Sequence, residues 1–300
     1  MQQELSSYLN QSASWRDYLT LCKPKVVALL LITAWVGMVL AQPAPVLNLQ
    51  MLIASIGIAF AASSAAVINH LVDIAIDEKM DRTKRRPLAN GRMSRSHALI
   101  FSLGLGLSSM WLLVTYINLL TAILTLAGLI GYAGIYTMYL KHSTSQNIVF
   151  GGLAGALPPL LGWTSITNSI EIEALILVLI IFIWTPPHFW PLAIDRINDY
   201  KKANVPMLPV THGIAHTKNC IIVYSMLLYG VSLLPYFYGM SSVIYLSSAL
   251  LLGGYFLFFT FKLKFAPQQK SAIKTFYVSI IYLLLLFIAL LVDHTLTSYA

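Results

Sequence analysis

The sequence predicts an all-α integral membrane protein with about nine transmembrane helices. Of its 300 residues, 58% are hydrophobic and only 10% are charged, against roughly 25% charged in soluble domains. Its mean hydropathy is +0.74, and its apolar runs have the length of about 20 residues that an α-helix needs to cross a bilayer. The runs are continuous rather than alternating in period two, which disfavours a transmembrane β-barrel.

Nine apolar runs follow one another along the chain, separated by short polar connections. We place them at residues 24–42, 48–68, 97–116, 119–139, 147–165, 172–192, 219–240, 242–262 and 272–292. This divides the chain into a polar N-terminal segment (1–23), a single transmembrane domain (24–292) and a short tail (293–300). The first nineteen residues carry no apolar core with a small-residue cleavage site, so we expect no cleaved signal peptide.

The basic residues predict how these spans are oriented. If nine spans alternate from a cytoplasmic N-terminus, all 19 Lys and Arg residues fall on the inner side, and the outer segments carry only Glu171, Glu173 and Asp293. Because cytoplasmic loops collect Lys and Arg, we expect the N-terminus in the cytoplasm and the C-terminus on the outer side. The net charge of +8 then belongs to a face that meets anionic lipid, and we expect no nucleic-acid partner.

A polar stripe marks the inner end of the second span. Asn69, Asp73, Asp77 and Asp81 recur at every fourth position. On an α-helix each such step rises about 6 Å and turns the side chain by about 40°, so the first three can converge while Asp81 lies furthest round. An ionised carboxylate at this depth usually faces a cavity or a partner. The stripe is therefore either one half of structural ion pairs with the basic residues that follow it or a set of metal ligands.

The basic loop after the stripe favours a bound diphosphate. Mg2+ is held by a few carboxylates together with substrate phosphate oxygens, and Lys or Arg side chains bind the remaining oxygens. The stripe and its loop together predict a metal-bridged diphosphate. The candidate diphosphate-binding residues are Arg82, Lys84, Arg86 and, from a second loop, Lys201.

That second acidic loop follows the sixth span and contains Asp195 and Asp199. Both loops follow even-numbered spans, four apart, and each ends in a Pro-Leu or Leu-Pro element followed by Gly91 or Gly213. This predicts an internal repeat in which spans one to four match spans five to eight. Transporters also carry internal repeats, and a non-enzymatic transporter is one alternative. Two acidic clusters at one interface instead favour a substrate with a diphosphate head and an apolar tail, such as a prenyl diphosphate.

Three motifs resemble those of a known family. Asn69, Asp73 and Asp77 match the first motif of the UbiA superfamily of intramembrane prenyltransferases, in which Asn, Asp and Asp are each separated by three residues. Within it, the chain resembles the branch that farnesylates protohaem. The resemblance rests on three segments: Met80-Asp-Arg-Thr-Lys-Arg-Arg-Pro-Leu88, Thr185-Pro-Pro-His-Phe-Trp190, and Asp199-Tyr200 with Pro206-Met-Leu-Pro209. The resemblance covers about residues 15 to 292.

One position departs from the family pattern. Many members have an acidic residue immediately before the Asp-Tyr pair, where this chain has Asn198. The resemblance therefore assigns Asp199 as the ligand from the second motif. Asp195, four residues earlier, can share its helical face and is a further candidate metal ligand, as is Asp81, although Asp195 matches no family position.

The resemblance implies a UbiA-type helix bundle in the bacterial cytoplasmic (inner) membrane, with its active site facing the cytoplasm. The reaction would join farnesyl diphosphate to a vinyl group of protohaem IX (haem B), releasing diphosphate and giving haem O for haem A synthase or terminal oxidase assembly. Asp73, Asp77 and Asp199 would be catalytic and, with Asn69, would hold Mg2+. A prenyltransferase for a quinone precursor or a chlorophyll-type acceptor is the alternative within the superfamily.

Two histidines are candidate contacts to haem. His188 lies near the inner end of span six, between prolines and tryptophans, and imidazole commonly ligates haem iron. Its alternative role is a hydrogen bond to carbonyls freed by Pro186 and Pro187. His70 adjoins the metal stripe but points about 100° away from Asn69.

Overall fold

The computed structural model describes residues 13–43, 46–265 and 270–298. Across these residues the chain forms helices and turns and has no β-strand, which confirms the all-α prediction. Residues 1–12 of the predicted N-terminal segment and residues 299–300 of the predicted tail lie outside the described residues.

Nine long helices, α1 to α9, make up most of the described chain. They are α1 (Pro24–Leu40), α2 (Leu49–Val72), α3 (Arg95–Tyr116), α4 (Leu119–Leu140), α5 (Asn147–Thr167), α6 (Ile172–Asp195), α7 (Gly213–Val231), α8 (Val243–Phe265) and α9 (Lys270–Ser298). Shorter helices in the connections are Trp15–Leu21, Ile74–Asp77, Lys141–Ser143, Ile197–Lys202, Leu208–Thr211 and Leu234–Phe237.

The long helices agree with the predicted spans in number and position. Eight are long and apolar enough to cross a membrane, and α1, joined to Trp15–Leu21 across a 50° bend, makes a ninth. The largest difference is α7, which begins at Gly213 rather than near residue 219. Its first two turns carry polar residues such as His216 and Lys218, so hydropathy alone cannot detect them.

The helices pack in chain order. Each long helix contacts the next one along the sequence, and α9 returns to α1. Helices α1 and α5 approach most closely where glycines face the partner's backbone. A Cβ atom on Gly37 would lie 2.0 Å from the carbonyl oxygen of Pro159, and one on Gly162 would lie 1.9 Å from that of Ala34. Small residues at helix contacts in membranes allow this close backbone approach.

One helix departs from regular α geometry close to the predicted site. The C-terminal half of α4, Gly131–Leu140, is π-helical, a form that often occurs at functional sites. By contrast, α6 continues as one helix through Pro186, Pro187 and Pro191, so these prolines do not break it as the sequence suggested. Thr185 Oγ1 donates a 2.9 Å hydrogen bond to the Ile181 carbonyl, and such side-chain bonds help membrane helices to tolerate proline.

Candidate active site

The predicted metal stripe lies where α2 ends. The long helix stops at Val72, Asp73 has backbone angles φ −83° and ψ 3°, and Ile74–Asp77 forms a separate turn of helix. Asn69, Asp73 and Asp77 are all buried, with 5%, 2% and 3% of their surface exposed. Asn69 Nδ2 donates a 2.9 Å hydrogen bond to Asp73 Oδ2. The fold thus brings the first two stripe residues into direct contact and keeps the third one turn away.

Three cations from separate parts of the chain surround the stripe. Lys141, just after α4, donates to Asp73 Oδ2 at 2.6 Å. Arg86, in the loop after α2, donates through Nη1 to both carboxylate oxygens of Asp77. Lys23, just before α1, donates to Asn69 Oδ1 at 2.6 Å. Three positive charges therefore lie beside two carboxylates, and the resulting excess of positive charge favours binding of an anion.

Lys23 lies in the connection before α1 and keeps its charge despite burial. Burial is the largest cause that lowers its pKa from 10.5 to about 8; the charge of Arg86 also lowers it, and that of Asp73 opposes the shift. At pH 7 the ammonium is therefore mostly protonated. It can act as a fixed cation beside the stripe.

One carboxylate oxygen of the stripe fits a metal ligand. Asp73 Oδ1 is buried and has no hydrogen-bond partner among the described residues, and a buried polar atom without a partner is costly. No group of three His, Cys, Asp or Glu side chains in the described parts of the chain could hold a metal by itself. The unpartnered oxygen of Asp73 is the kind of ligand that Mg2+ takes, with substrate phosphates and waters completing its coordination.

The second acidic loop packs against the first. Met80 and Ile76 from the first loop contact the hydrophobic cluster that contains Tyr200 and Val205. Lys202 Nζ also lies 4.0 Å from Asp81 Oδ2. The two predicted motifs, although more than a hundred residues apart in sequence, thus form one region of the surface.

The other predicted site residues lie further out. Asp199 is half-buried on the short helix Ile197–Lys202, and Asp195 pairs with Arg196 at 3.2 Å. Asp81 is exposed, and a hydrogen bond from Lys84 lowers its pKa. Three predicted diphosphate residues are also exposed, namely Arg82, Lys84 and Lys201. Arg86 is the predicted cation that the fold turns inward.

An apolar cavity of about 160 Å³ adjoins the stripe. It lies between α1, α2, α4 and α5, and its lining includes the small residues Ala61, Ala62, Ala65, Ala66 and Gly155. Lys23 and Tyr132 lie at the end next to the stripe, and Ile58 and Leu161 line its walls further along. Ile58 precedes Asn69 by eleven residues on α2, a rise of roughly 16 Å. The cavity therefore extends from the charged site into the membrane-spanning part of the bundle.

A charged head site joined to an apolar channel is what a prenyl diphosphate requires, and the sequence matches the corresponding family. The profile of the UbiA prenyltransferase family covers residues 30–291. The chain belongs to this family. It is an integral, multi-pass membrane protein and a transferase.

Two similar proteins indicate where the chain lies within the family. A protein of Stutzerimonas stutzeri (strain A1501) named Protoheme IX farnesyltransferase is 56% identical over 290 residues, which cover 97% of each chain. The protein of the same name from Legionella pneumophila (strain Corby) is 56% identical over 280 residues, 93% of this chain and 95% of the relative.

Two solved structures confirm the UbiA-type bundle. A digeranylgeranylglyceryl phosphate synthase structure has a TM-score of 0.79 at 20% identity, covering 93% of this chain and 98% of the other. A UbiA homologue from Archaeoglobus fulgidus, bound to GPP and Mg2+, has a TM-score of 0.66 at 19% identity, covering 91% and 99%. At these identities the likeness shows the fold alone.

In this UbiA-family chain, two site residues escaped the sequence prediction. Lys23 and Lys141 were interpreted as topology signals, yet both contact the stripe. Lys141 is the only basic residue in the connection after span four, so a single charge at a helix end was the available signal.

The two candidate haem residues have different surroundings. His188 is stacked between Trp184, at 4.0 Å between ring centroids, and Phe276, at 4.6 Å. Its Nδ1 lies 2.8 Å from Ser279 Oγ. His70 is buried beside the stripe, with Nδ1 at 3.9 Å from Asp77 Oδ2 and neither ring nitrogen hydrogen-bonded within the described structure.

Proposed function

We propose that this chain transfers the farnesyl group of farnesyl diphosphate to a vinyl group of protohaem, releasing diphosphate and giving haem O. The observation that carries the proposal is the junction, at Lys23 and Tyr132, between a buried site of carboxylates and cations and an apolar cavity. A molecule with a diphosphate head and an isoprenoid tail can occupy the charged site with its head and the apolar cavity with its tail. Protohaem as acceptor follows from relatives 53–56% identical, over nearly the whole chain, that are named Protoheme IX farnesyltransferase.

The proposed metal ligands are Asn69, Asp73, Asp77 and Asp199, with Asp73, Asp77 and Asp199 as the catalytic carboxylates. The unpartnered Asp73 Oδ1 supports this assignment. Mg2+, when bound, neutralises the diphosphate and draws electron density from the allylic C–O bond. Asp81 and Asp195 are outside the proposed set, because Asp81 is exposed and pairs with Lys84, and Asp195 pairs with Arg196 and matches no family position.

The cations of the chain stabilise the leaving group. As the allylic C–O bond breaks, its electron pair goes to the diphosphate, and positive charges aimed at that group lower the barrier. Arg86 and Lys141 are the partly buried cations that contact the stripe. Arg82, Lys84 and Lys201, which are exposed, would bind phosphate oxygens on the open side of the site.

The farnesyl cation must meet the vinyl carbon before it meets water. The apolar cavity holds the chain away from solvent, and the two packed loops cover the charged end. The vinyl π electrons form the new carbon–carbon bond. Water then adds to the carbon next to the porphyrin ring and releases one proton, which completes the hydroxyethylfarnesyl group.

His188 is the proposed haem contact. Ser279 Oγ donates its one proton to the Phe276 carbonyl at 2.6 Å, so it accepts from His188 Nδ1. A neutral imidazole protonated at Nδ1 presents a lone pair at Nε2, the form that ligates haem iron. His70 is the weaker haem candidate, because its buried position beside Asp77 favours a role close to the metal ligands.

We place the active site on the cytoplasmic side of the bacterial inner membrane. The support is the predicted nine-span topology, which puts all 19 Lys and Arg residues on the side of the two acidic loops. Haem O formed there would be available to haem A synthase or to terminal oxidase assembly.

The test is conversion of protohaem by the purified protein in lipid nanodiscs with farnesyl diphosphate, with and without Mg2+, followed by mass spectrometry. We expect haem O only when Mg2+ is present. Release of pyrophosphate with unmodified haem would indicate a different acceptor, such as a quinone precursor. Absence of both products would contradict the enzymatic proposal and favour transport.

A further inference from the structure

Lys23 adopts an unusual backbone conformation. Its φ of 50° and ψ of 58° lie in the left-handed region, which costs energy for a residue with a side chain. The other non-glycine residues with positive φ in the described chain are Asn168 and Asn204, and asparagine tolerates this region. Such conformations persist where the surrounding structure imposes them, often at functional sites.

The N-terminal helix imposes this conformation. Leu21 is fully buried, and together with Tyr18 it packs in a hydrophobic cluster with Val67 and Ile74, which flank the Asn69–Asp73 part of the stripe. The chain then turns by 50° into α1. This packing fixes the backbone before Lys23, and the side chain points at Asn69.

Lys23 marks the boundary between the charged site and the apolar cavity. It is the only charged residue among the described residues that line the cavity. Its ammonium contacts Asn69 Oδ1 at 2.6 Å, so it lies at the first residue of the stripe. A prenyl diphosphate that occupies both parts of the site must place its carbon–oxygen bond at this boundary.

The contacts of Lys23 also differ from those of the neighbouring cations. Lys141 and Arg86 each bond to a carboxylate, Asp73 and Asp77 respectively. The hydrogen-bond acceptor of Lys23 is the neutral carboxamide oxygen of Asn69. Its charge is thus the least compensated by direct contact, which suits it to an incoming phosphate.

We infer that Lys23 binds the α-phosphate of the prenyl diphosphate, the phosphate joined to the isoprenoid carbon, and positions the bond that breaks. The inference rests on the proposed function, since it takes a prenyl diphosphate as the occupant of the cavity. A purely structural Lys23 would only hold Asn69 in place. The two roles differ in whether the positive charge matters or only the hydrogen bond.

The test compares Lys23→Gln and Lys23→Arg with a matched control, Lys25→Gln. Gln keeps a donor for Asn69 Oδ1 without the charge, whereas Arg keeps the charge. Lys25 is exposed, two residues along the same turn. The probes are farnesyl monophosphate, which carries only the α-phosphate, farnesyl diphosphate and farnesol, each titrated in nanodiscs with Mg2+.

We expect Lys23→Gln to weaken both phosphate-bearing probes by about 10- to 100-fold, the scale of one lost charge-assisted hydrogen bond. Farnesol binding should not change, Lys23→Arg should restore most of the affinity, and Lys25→Gln should stay within about twofold of wild type. Thermal unfolding of each variant shows whether it is folded. If Lys23→Gln does not fold, Lys23→Asn carries the test, because asparagine tolerates the left-handed backbone and has no charge. Wild-type affinity of Lys23→Asn for farnesyl monophosphate would overturn the assignment.

The outcomes separate this inference from the proposed function. If wild type binds farnesyl monophosphate and Lys23→Gln binds it equally well, the α-phosphate assignment is overturned while the enzyme assignment stands. If wild type binds the farnesyl phosphates but not protohaem, the proposed acceptor is wrong. The comparison of the Lys23 variants then still decides whether Lys23 binds the α-phosphate. If wild type binds no prenyl phosphate, both proposals fail.

Discussion

A single guanidinium nitrogen of Arg86 lies 2.9 Å from Oδ1 and 2.8 Å from Oδ2 of Asp77. The connection after α2 therefore folds back onto the stripe that precedes it. Thr83, which is 1% exposed, donates to the Asp77 carbonyl at 3.1 Å and holds the loop in this position. Part of the charge gathered in this stretch is thus turned inward onto the stripe.

Replacing Arg86 should slow the chemical step. Arg86→Met removes the inward cation beside Asp77, and loss of one group that stabilises transition-state charge typically lowers kcat by about 100-fold or more. Arg85→Met is the control, because Arg85 is the exposed neighbour. Single-turnover rates of haem O formation measure the effect. Equal rates in the two variants would show that the inward position of Arg86 has no catalytic meaning.

Replacing Asp73 should change the dependence on Mg2+. Asp73→Asn keeps the shape of the side chain but removes its negative charge. That charge pairs with Lys141 at Oδ2 and makes the unpartnered Oδ1 a metal ligand. We expect the Mg2+ concentration for half-maximal turnover to rise at least about tenfold, with kcat strongly reduced. Asp81→Asn, at an exposed carboxylate, is the matched control. Binding of Mn2+ followed by EPR in the presence of diphosphate gives a second readout, and unchanged metal binding in Asp73→Asn would refute the ligand assignment.

The sequence predicted the spans well for a physical reason. Bilayer thickness sets the length of each apolar run, so α2, α4 and α6 lie within a few residues of their predicted positions. The first turns of α7 are polar, so the length of an apolar run does not predict them. The internal four-helix repeat, the orientation and the division into segments stay predictions.

The site was only partly predictable from sequence. Asn69, Asp73 and Asp77 share a local period, which a helix converts directly into proximity. Lys23 and Lys141 lie 46 and 68 residues from their partners, and tertiary packing alone brings them there. The sequence prediction included Arg86 but grouped it with Arg82 and Lys84, which are exposed, since the turns of the connecting loop decide which of these cations points inward.

Filling the apolar cavity should change the preferred chain length. A Cβ atom added at Gly155 would meet no atom within 4 Å, and this glycine lines the cavity. Gly155→Leu should therefore occupy space used by the end of the farnesyl chain. We expect kcat/KM for farnesyl diphosphate to fall about tenfold or more and that for geranyl diphosphate, one isoprene unit shorter, to change much less.

The matched control for the cavity is Gly254→Leu. Gly254 also has no atom within 4 Å of an added Cβ, but it lies exposed on α8, away from the cavity. It should leave both substrates unchanged. An equal loss for both chain lengths in Gly155→Leu would argue that the cavity does not hold the prenyl tail.

Replacing His188 should separate acceptor binding from donor binding. If Nε2 ligates haem iron, His188→Ala should shift the Soret band of bound haem and weaken haem affinity by about tenfold or more, while the affinity for farnesyl diphosphate stays unchanged.

Ser279→Ala tests the hydrogen bond that fixes the tautomer of His188. Loss of such an orienting partner typically costs about 10- to 100-fold in metal affinity, and we expect a smaller spectral change than in His188→Ala. His97→Ala, at an exposed histidine, is the control. An unchanged haem spectrum in His188→Ala would leave this residue as a packing element between Trp184 and Phe276.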